Sequence, residues 1–342
     1  MKKKILVTGG TGFIGSHTVV ELLEANYEVV IIDDLSNSNE NVIENIKKIC
    51  GKKPDFEKFN LTENDKLKAF FKKHTNIDAI IHFAAYKAVG ESVNFPLKYY
   101  KNNLFSLVNL LAFMEQGCAP ALVFSSSCTV YGQPLSLPVT EQAPIQIANS
   151  PYGNTKQISE EIINETIAAN AGKIKCVALR YFNPIGAHHS ALIGELPLGI
   201  PNNLVPYITQ SAAGIRGAVN VFGNDYNTPD GTAIRDYIHV VDLAKAHIVA
   251  VERMLNNQTK SDFEVFNIGT GKGTSVLEII NTFEKATQQK LNYTIAPRRA
   301  GDIEQVWADT TLANNELGWK AELNIYDMLL SAWNWEKTLM NI

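Results

Sequence analysis

The 342-residue sequence has few of the features that mark disulfide-rich or metal-binding proteins. Its four cysteines lie far apart and form no C-x-x-C pair, which argues against a disulfide framework and against a thiolate zinc site. We therefore expect free, buried thiols. The seven histidines include no H-E-x-x-H motif, so we predict no metal centre.

Long apolar runs and an excess of positive charge are also missing. No run reaches the roughly 18 apolar residues that a membrane span requires, and the apolar run after Met1–Lys4 is too short for the core of a signal peptide. The chain has 31 Lys and Arg against 35 Asp and Glu, a net charge of -4, which gives no basic footprint for nucleic acid. We expect a cytoplasmic protein with neither a membrane nor a nucleic-acid partner.

The first half of the sequence alternates between apolar, strand-like runs and amphipathic, helical stretches. Runs such as residues 77–83 are apolar on both faces, as strands of a parallel sheet covered by helices are. This pattern predicts an α/β fold with a doubly wound parallel sheet (Rossmann fold). The predicted strands are residues 4–8, 28–33, 55–60, 77–83, 121–125 and 175–181, and the predicted helices are residues 14–25, 40–49, 67–73, 95–115 and 151–171.

The character of the sequence changes after Tyr181. Residues 186–206 are rich in Gly, Pro, Asn and His, and short strands and helices then mix irregularly up to an amphipathic helix near residues 324–340. We predict a Rossmann domain over residues 1–182 and a second, smaller mixed α/β lobe over residues 183–342, and we allow for the chain to cross between them. A cleft between two packed lobes is the expected place for a ligand.

Glycines at positions 9, 12 and 15 directly follow the first predicted strand, and a helix begins at once. Without side chains there, the backbone can turn tightly and approach a pyrophosphate, whose charge then lies at the helix N-terminus. Asp33 ends the second predicted strand, where a carboxylate can bind an adenosine ribose and repel a 2′-phosphate. The sequence thus predicts a site for NAD rather than NADP; the alternative is that Asp33 only caps a turn.

Tyr152 and Lys156 are four residues apart in a helix predicted to begin near Pro151, so they share one helical face. Residues 125–127 are serines at the carboxyl end of a predicted strand, where doubly wound sheets bind ligands. Lowering the pKa of a phenol from 10 to about 7 requires about 4 kcal/mol, and an ammonium together with a positive nicotinamide ring can supply energy of that order. Tyr152 is therefore a candidate general base next to a hydride acceptor; the alternative for the serines is a polar turn.

The glycine loop, the segment 125–132 and the Tyr152/Lys156 pair resemble the extended short-chain dehydrogenase/reductase family that acts on nucleotide sugars. Further motifs resemble, over essentially the whole chain, those members that invert C4 of a UDP-hexose. These motifs are KAVGES (87–92), RYFNPIGA (180–187), PNNL (201–204), FGNDY (222–226), RDYIHV (235–240) and RRAGD (298–302). The resemblance implies an isomerase that keeps NAD tightly bound, interconverts UDP-galactose and UDP-glucose through a transient 4-keto sugar, and forms a homodimer through its long helices.

The resemblance also implies a role for each matching residue. Ser127 and Tyr152 would contact the sugar 4-hydroxyl, with Tyr152 as the base, and Lys156 would hold the nicotinamide ribose and lower the pKa of Tyr152. The implied NAD-binding residues are Gly9, Gly12, Phe13, Ile14, Gly15, Asp33, Asn37, Ser38, Asn60, Leu61, Phe83, Lys87, Asn102, Tyr152, Lys156 and Phe182. The implied substrate-binding residues are Ser127, Tyr152, Asn183, Asn203, Leu204, Asn220, Phe222, Arg235, Tyr237, Arg299, Asp302 and Val306.

Two residues depart from the family pattern. Asn60 stands where the family usually has an Asp beside the adenine, which would loosen that contact. Val306 stands where relatives have either a bulky Tyr or a smaller residue at the sugar pocket. Because a smaller side chain leaves room for an N-acetyl group, Val306 raises the hypothesis that UDP-N-acetylhexosamines are also substrates.

Three alternatives stay open at this point. A nucleotide-sugar 4,6-dehydratase would need an acid and a base after Thr129, where Val130 and Tyr131 stand instead. A 4-epimerase of another UDP-sugar, such as UDP-glucuronate, would need an extra cation that the sequence does not place. A non-catalytic NAD-binding sensor would have no use for the Tyr152/Lys156 pair.

Overall fold

The centre of the molecule is a sheet of seven parallel strands. The computed structural model describes residues 2–299 and 303–341. The strands, in their order across the sheet, are β10 (Phe263–Ile268), β6 (Lys175–Tyr181), β5 (Ala121–Ser127), β4 (Ala79–His82), β1 (Lys4–Thr8), β2 (Glu28–Asp33) and β3 (Asp55–Lys58). The predicted doubly wound sheet is confirmed. The strand order reverses between β1 and β4, and ligands bind outside the carboxyl ends of strands at such a point.

Helices cover both faces of this sheet, which is why its strands are apolar on both sides. Ile5 and Val7 of β1 pack into one core and Leu6 into the other, and all three are fully buried. The first face is covered by α1 (Phe13–Glu24), α2 (Asn41–Cys50) and α8 (Val240–Leu255), and the second by α3 (Asn64–Lys73), α5 (Pro96–Glu115) and α6 (Pro151–Ala169). The short helix α4 (Val89–Asn94) precedes α5.

A smaller mixed lobe follows. Its central strand β9 (Ile234–His239) runs parallel to β7 (Asn183–Ile185) and β13 (Gln305–Val306) and antiparallel to β11 (Gly273–Ser275). The other elements of the lobe are a pair of parallel strands, β8 (Val219–Phe222) and β12 (Tyr293–Ala296), and the helices α7 (Leu204–Ala212), α9 (Val276–Thr287) and α10 (Ile325–Met340). β10 is a strand of the large sheet and α8 packs on that sheet, although both follow residue 182, the predicted boundary. The chain therefore returns from the second lobe to the Rossmann domain.

The strands at 4–8, 28–33 and 175–181 have their predicted bounds. The strand predicted at 77–83 is shorter, because Phe83 and Ala84 leave the sheet and pass close to Gly9. The four cysteines are free as expected, but among them only Cys176 is fully buried. Within the described residues, no helix has the length and apolarity to cross a bilayer, and no His, Cys, Asp and Glu side chains group as metal ligands. The cytoplasmic location stays a prediction.

Candidate active site

The glycine loop joins β1 to α1 as a tight turn. Gly9 has a φ of +71°, and a Cβ there would lie 2.8 Å from the backbone nitrogen of Ala84. A Cβ on Gly15 would collide with the carbonyl oxygen of Gly9 and the Cα of Gly10. Gly12 precedes α1 and no side chain caps this helix, so the N–H groups of its first turn are left for an anion or water. The loop fits the pyrophosphate of a dinucleotide.

Asp33 connects the end of β2 to this loop. Its carboxylate accepts hydrogen bonds from the backbone N–H groups of Thr11 (3.1 Å) and Leu35 (2.9 Å), and Thr11 in turn shares a 2.6 Å hydroxyl contact with Ser38. A cleft that is open to solvent on one side lies beside Asp33. Five residues predicted to bind NAD line it: Asp33, Asn37, Asn60, Leu61 and Asn102. The structure thus brings the predicted adenosine-binding residues together in one cleft.

Asn60 has its hydrogen-bonding capacity filled by neighbours in this cleft. Its Oδ1 accepts from the backbone N–H (2.9 Å) and hydroxyl (2.8 Å) of Thr62, which fixes the orientation of the amide because a backbone nitrogen only donates. Its Nδ2 donates to Asp34 at 2.7 Å and to Asn102 at 3.2 Å. Asn60 therefore orders the wall of the cleft, a role that the departure from the family pattern did not indicate.

The catalytic candidates lie at the carboxyl end of β5. Ser127 is its last residue, and a short 3-10 helix, Cys128–Tyr131, follows. Tyr152 lies in the first turn of α6, which the hydroxyl of Ser150 caps by accepting the Gly153 N–H at 3.1 Å. The hydroxyl of Ser127 lies next to the phenol of Tyr152, and it accepts the backbone N–H of Thr129 at 3.2 Å. Strand end and helix start thus bring together the two groups expected at the sugar hydroxyl.

Lys156 contacts the end of β5 in this structure, and its expected effect on the pKa of Tyr152 stays a prediction. Burial raises the pKa of Tyr152 to about 12, and the neighbouring Ser127 opposes the rise. The ammonium of Lys156 donates to the Ser125 carbonyl at 2.5 Å and lies 4.8 Å from the ring centroid of Phe124. Burial lowers the pKa of Lys156 to about 8, and the charge of Glu160 opposes that change.

A buried network of polar side chains lies next to Lys156. The carboxylate of Glu160, one helical turn after Lys156, accepts from Arg180 at 2.9 and 2.5 Å and from the hydroxyl of Ser126 at 2.5 Å. Arg180 also donates to the hydroxyl of Tyr131 at 3.1 Å. These contacts join α6 to β5, β6 and the 3-10 helix. Sequence reasoning missed them; the only local signal was the position of Glu160 on the same helical face as Lys156.

The substrate-binding candidates of the second lobe meet along β9. Asn183 of β7 pairs with Tyr237, and Val306 of β13 pairs with Arg235. Nη1 of Arg235 donates to the backbone carbonyls of Ile234 at 2.8 Å and Glu304 at 3.4 Å. Four predicted residues from three distant parts of the sequence thus share one small sheet.

The position of β9 depends on a residue that sequence reasoning did not single out. Asp236 is fully buried, and its carboxylate accepts from the N–H (2.8 Å) and hydroxyl (2.6 Å) of Thr270, and from the N–H groups of Gly271 (3.1 Å) and Ala308 (3.2 Å). The hydrogen bonds lower the pKa of this carboxyl, but its burial has the larger effect, so the pKa of Asp236 is raised overall. Asp236 thus connects β9 to two loops. It stands between Arg235 and Tyr237 in the sequence.

The other predicted substrate contacts lie around this sheet. Asn220 and Phe222 are two residues apart, so both side chains lie on the exposed face of β8. The guanidinium of Arg299 lies 5.7 Å from the ring centroid of Phe222. Asn203 precedes α7, and Leu204 is the first residue of that helix. Asp302 lies outside the described residues.

The remaining predicted residues make three separate contacts. Phe182 and Val306 are buried in one apolar cluster with Tyr131, next to the serine segment. On the cofactor side, the ring of Phe83 lies 4.7 Å from that of His247. The ammonium of Lys87 lies 5.9 Å from the ring centroid of Phe13. The 3-10 helix that follows β5 is therefore in contact with the β9 sheet through Val306 and Phe182.

Comparison with known proteins places the chain among nucleotide-sugar enzymes. The family model described as GDP-mannose 4,6 dehydratase matches residues 6–331. The chain is 50% identical over 334 residues to UDP-glucose 4-epimerase GEPI48 of Cyamopsis tetragonoloba, which covers 97% of this chain and 94% of the relative.

Solved structures show the same likeness. UDP-glucose 4-epimerase from Bifidobacterium longum, in complex with NAD+ and UDP, is similar with a TM-score of 0.94 and 46% identity over 99% of each chain. The enzyme from Stenotrophomonas maltophila, with bound NAD and formylated UDP-arabinopyranose, gives a TM-score of 0.95 and 45% identity, again over 99% of each chain. The similarity covers both lobes and therefore both halves of the candidate site.

Proposed function

The chain belongs to the UDP-glucose 4-epimerase family, and from this premise we propose that it interconverts UDP-galactose and UDP-glucose with NAD as a retained cofactor. The observation that carries the proposal is that Ser127, at the end of β5, and Tyr152, in the first turn of α6, lie side by side, next to a β9 sheet that contains Asn183, Arg235 and Tyr237. The first feature fits removal of a hydroxyl proton, and the second fits a fixed nucleotide.

The chain's own residues would act as follows. Tyr152 takes the proton of the sugar 4-hydroxyl, and Ser127, whose hydroxyl lies next to the phenol, orients that sugar hydroxyl. When bound, NAD supplies an oxidised, positively charged nicotinamide ring that accepts the hydride of C4, returns it, and favours the phenolate form of Tyr152. Since burial raises the pKa of Tyr152 to about 12, we expect the base to form only beside that positive charge.

Inversion at C4 requires the transient 4-keto sugar to present its opposite face before it is reduced. The nucleotide must therefore stay bound while the sugar turns. Arg235 and Arg299 offer planar guanidinium groups that suit a diphosphate, and the exposed ring of Phe222 suits a flat base. Affinity should accordingly reside in the UDP contacts, with a permissive sugar pocket.

The test is to incubate the purified protein with UDP-galactose without added cofactor and to follow UDP-glucose by NMR. Product formation supports both the reaction and a retained NAD. Tyr152→Phe should keep its NAD, measured after denaturation, and lose at least about 100-fold in turnover, as expected for removal of a general base. Unchanged turnover in Tyr152→Phe would show that another group is the base.

The structure favours epimerisation over a 4,6-dehydratase reaction. Dehydration would need an acid and a base directly after Thr129, and Val130 and Tyr131 are fully buried there. The hydroxyl of Tyr131 donates to Asn267 at 2.6 Å, within the network below the site. Formation of a 4-keto-6-deoxy sugar would contradict the proposal.

Acceptance of UDP-N-acetylhexosamines is a second proposal, and Val306 supports it. Val306 pairs with Arg235 and packs with Phe182 and Tyr131 beside the serine segment. A Tyr at this position would place a larger side chain next to the sugar than Val306 does. We expect turnover of UDP-N-acetylglucosamine by the wild type and its selective loss in Val306→Tyr, with UDP-galactose activity retained; no turnover of the N-acetylated sugar by the wild type would end this proposal.

We also propose that the protein is a homodimer formed through α5. Leu97, Phe105 and Val108 are 81%, 55% and 45% exposed and lie on one face of this helix. Such an apolar stripe suits a helical interface with a second copy. Phe105→Glu should convert a dimer to a monomer in light scattering, and a wild-type monomer would refute the proposal.

A further inference from the structure

Glu195 joins a residue expected at the cofactor to a residue expected at the UDP moiety. Its Oε1 lies 3.5 Å from the ammonium of Lys87 and accepts a hydrogen bond from Nδ2 of Asn203 at 2.7 Å. The side chain of Glu195 is only 14% exposed, whereas that of Lys87 is 51% exposed. A largely shielded carboxylate therefore bridges the two lobes.

The position of Glu195 is fixed by contacts on more than one side. Between β7 and α7 the chain forms only an isolated bridge, between Ala187 and Gly194. The carbonyl oxygen of Glu195 accepts from the indole nitrogen of Trp335, on α10, at 2.9 Å. The Ala187–Gly194 bridge and the hydrogen bond from Trp335 hold the carboxylate of Glu195 toward Lys87 and Asn203.

This bridge determines which charge the cleft offers to a sugar. Oε1 of Glu195 already has two donors, and Oε2 accepts no hydrogen bond from the described residues. Oε2 can accept from a sugar hydroxyl. A sugar carboxylate, in contrast, would meet the negative charge of Glu195 and find Lys87 already paired, and the two like charges would repel each other.

We propose that Glu195 is a specificity-determining residue that favours UDP-linked sugars with hydroxyl groups over UDP-hexuronates. The inference rests on the proposed function, which places the sugar where the cofactor and the UDP moiety meet, and so between the partners of Glu195. The same bridge argues against a UDP-glucuronate epimerase. Such an enzyme would need a cation at the sugar carboxylate, and the charge of the nearby cation, Lys87, is compensated by Glu195.

The test compares the binding of UDP-glucose and UDP-glucuronate to the NAD-loaded protein by calorimetry. Glu195→Gln keeps the shape and an acceptor oxygen but removes the charge, so the preference for UDP-glucose should fall about tenfold, or about 1.4 kcal/mol. Glu44→Gln is the matched control, because Glu44 pairs with Lys53 on an exposed part of α2 and should not affect the preference. An unchanged preference in Glu195→Gln, or an equal fall in the control, would overturn the proposal.

Two further measurements separate this proposal from other failures. Added salt should narrow the preference in the wild type, because it screens repulsion between charges; a preference independent of salt counts against the proposal and needs no variant to fold. Glu195→Asp keeps the charge and should keep most of the preference. Since binding requires no turnover, a wild type that binds both ligands but does not convert UDP-galactose would refute the proposed reaction and leave the Glu195 test intact.

Discussion

The two halves of the site are positioned by different means. In the large sheet, Asp33 and Ser127 are the last residues of β2 and β5, so a ladder of backbone hydrogen bonds between buried parallel strands places them. In the second lobe, β9 is held to its surroundings by the buried carboxylate of Asp236, which accepts four hydrogen bonds from two loops. The difference teaches that the cofactor side depends on backbone geometry and the UDP side on single buried side chains. Substitutions should therefore affect the two halves differently.

The largest effect is expected at Asp236. Asp236→Ala removes four hydrogen bonds and leaves the N–H of the buried Ala308 without an acceptor, at about 1–3 kcal/mol for that group. We expect the free energy of unfolding in urea to fall by about 3 kcal/mol or more, with an intermediate loss in Asp236→Asn, which keeps one acceptor oxygen.

The matched control is Asp225→Ala, in the same lobe. Asp225 pairs with Arg298 at 2.7 Å but its side chain is 70% exposed, so Asp225→Ala should lower the free energy of unfolding much less than Asp236→Ala does. Similar losses for Asp225→Ala and Asp236→Ala would show that no single buried carboxylate organises this lobe.

On the cofactor side, the corresponding weak point is the backbone itself. A Cβ at Gly15 would press on the carbonyl of Gly9, so Gly15→Ala should cost about 1–3 kcal/mol through overpacking and distort the anion-binding turn. We expect substoichiometric NAD in the purified variant, measured by absorbance after denaturation. Gly90→Ala is the control, because a Cβ there meets no atom within 4 Å. Full NAD content in Gly15→Ala would show that the loop tolerates the shift.

The same contrast explains what the sequence could predict. The strands at 4–8 and 175–181 follow from local apolar patterns, and the glycine loop follows from three nearby residues. The contacts of Asp236 and the bridge from Glu195 to Lys87 join residues that are 34 to 108 positions apart. No local pattern records such pairs. The resemblance named Arg235 and Tyr237 but not the Asp between them, whose work is structural.

A smaller effect for each single group is expected from acid, again around the large sheet. His17, His82 and His247 are buried there, and desolvation lowers their pKa values from 6.5 to about 3, 3 and 4. Because the unfolded chain binds protons that the folded chain does not, the stability that these groups contribute is present above pH 6.5 and is lost as the pH falls toward the folded values.

The slope can be measured by urea unfolding at several pH values between 7.5 and 5. Each neutral histidine adds up to about 1.4 kcal/mol of lost stability per pH unit below 6.5. His17→Gln removes one such group, so its stability should fall less steeply than that of the wild type. An identical slope in the variant would mean that His17 takes up its proton in the folded state.

The smallest effect is expected at Asn60, where a side-chain contact operates within the cofactor half. Asn60→Asp restores the residue type usual in the family, yet it would direct a carboxylate at Asp34, which now accepts from Nδ2 of Asn60 at 2.7 Å. We expect NAD affinity or stability to fall by about 0.5–1 kcal/mol, less at high salt because the repulsion is screened. The double variant Asn60→Asp/Asp34→Asn reverses the donor and the acceptor and should recover most of that loss. If Asn60→Asp instead binds NAD more tightly and the double variant does not, the adenine contact outweighs the order of the cleft wall, and this part of the cofactor half also depends on a single side chain.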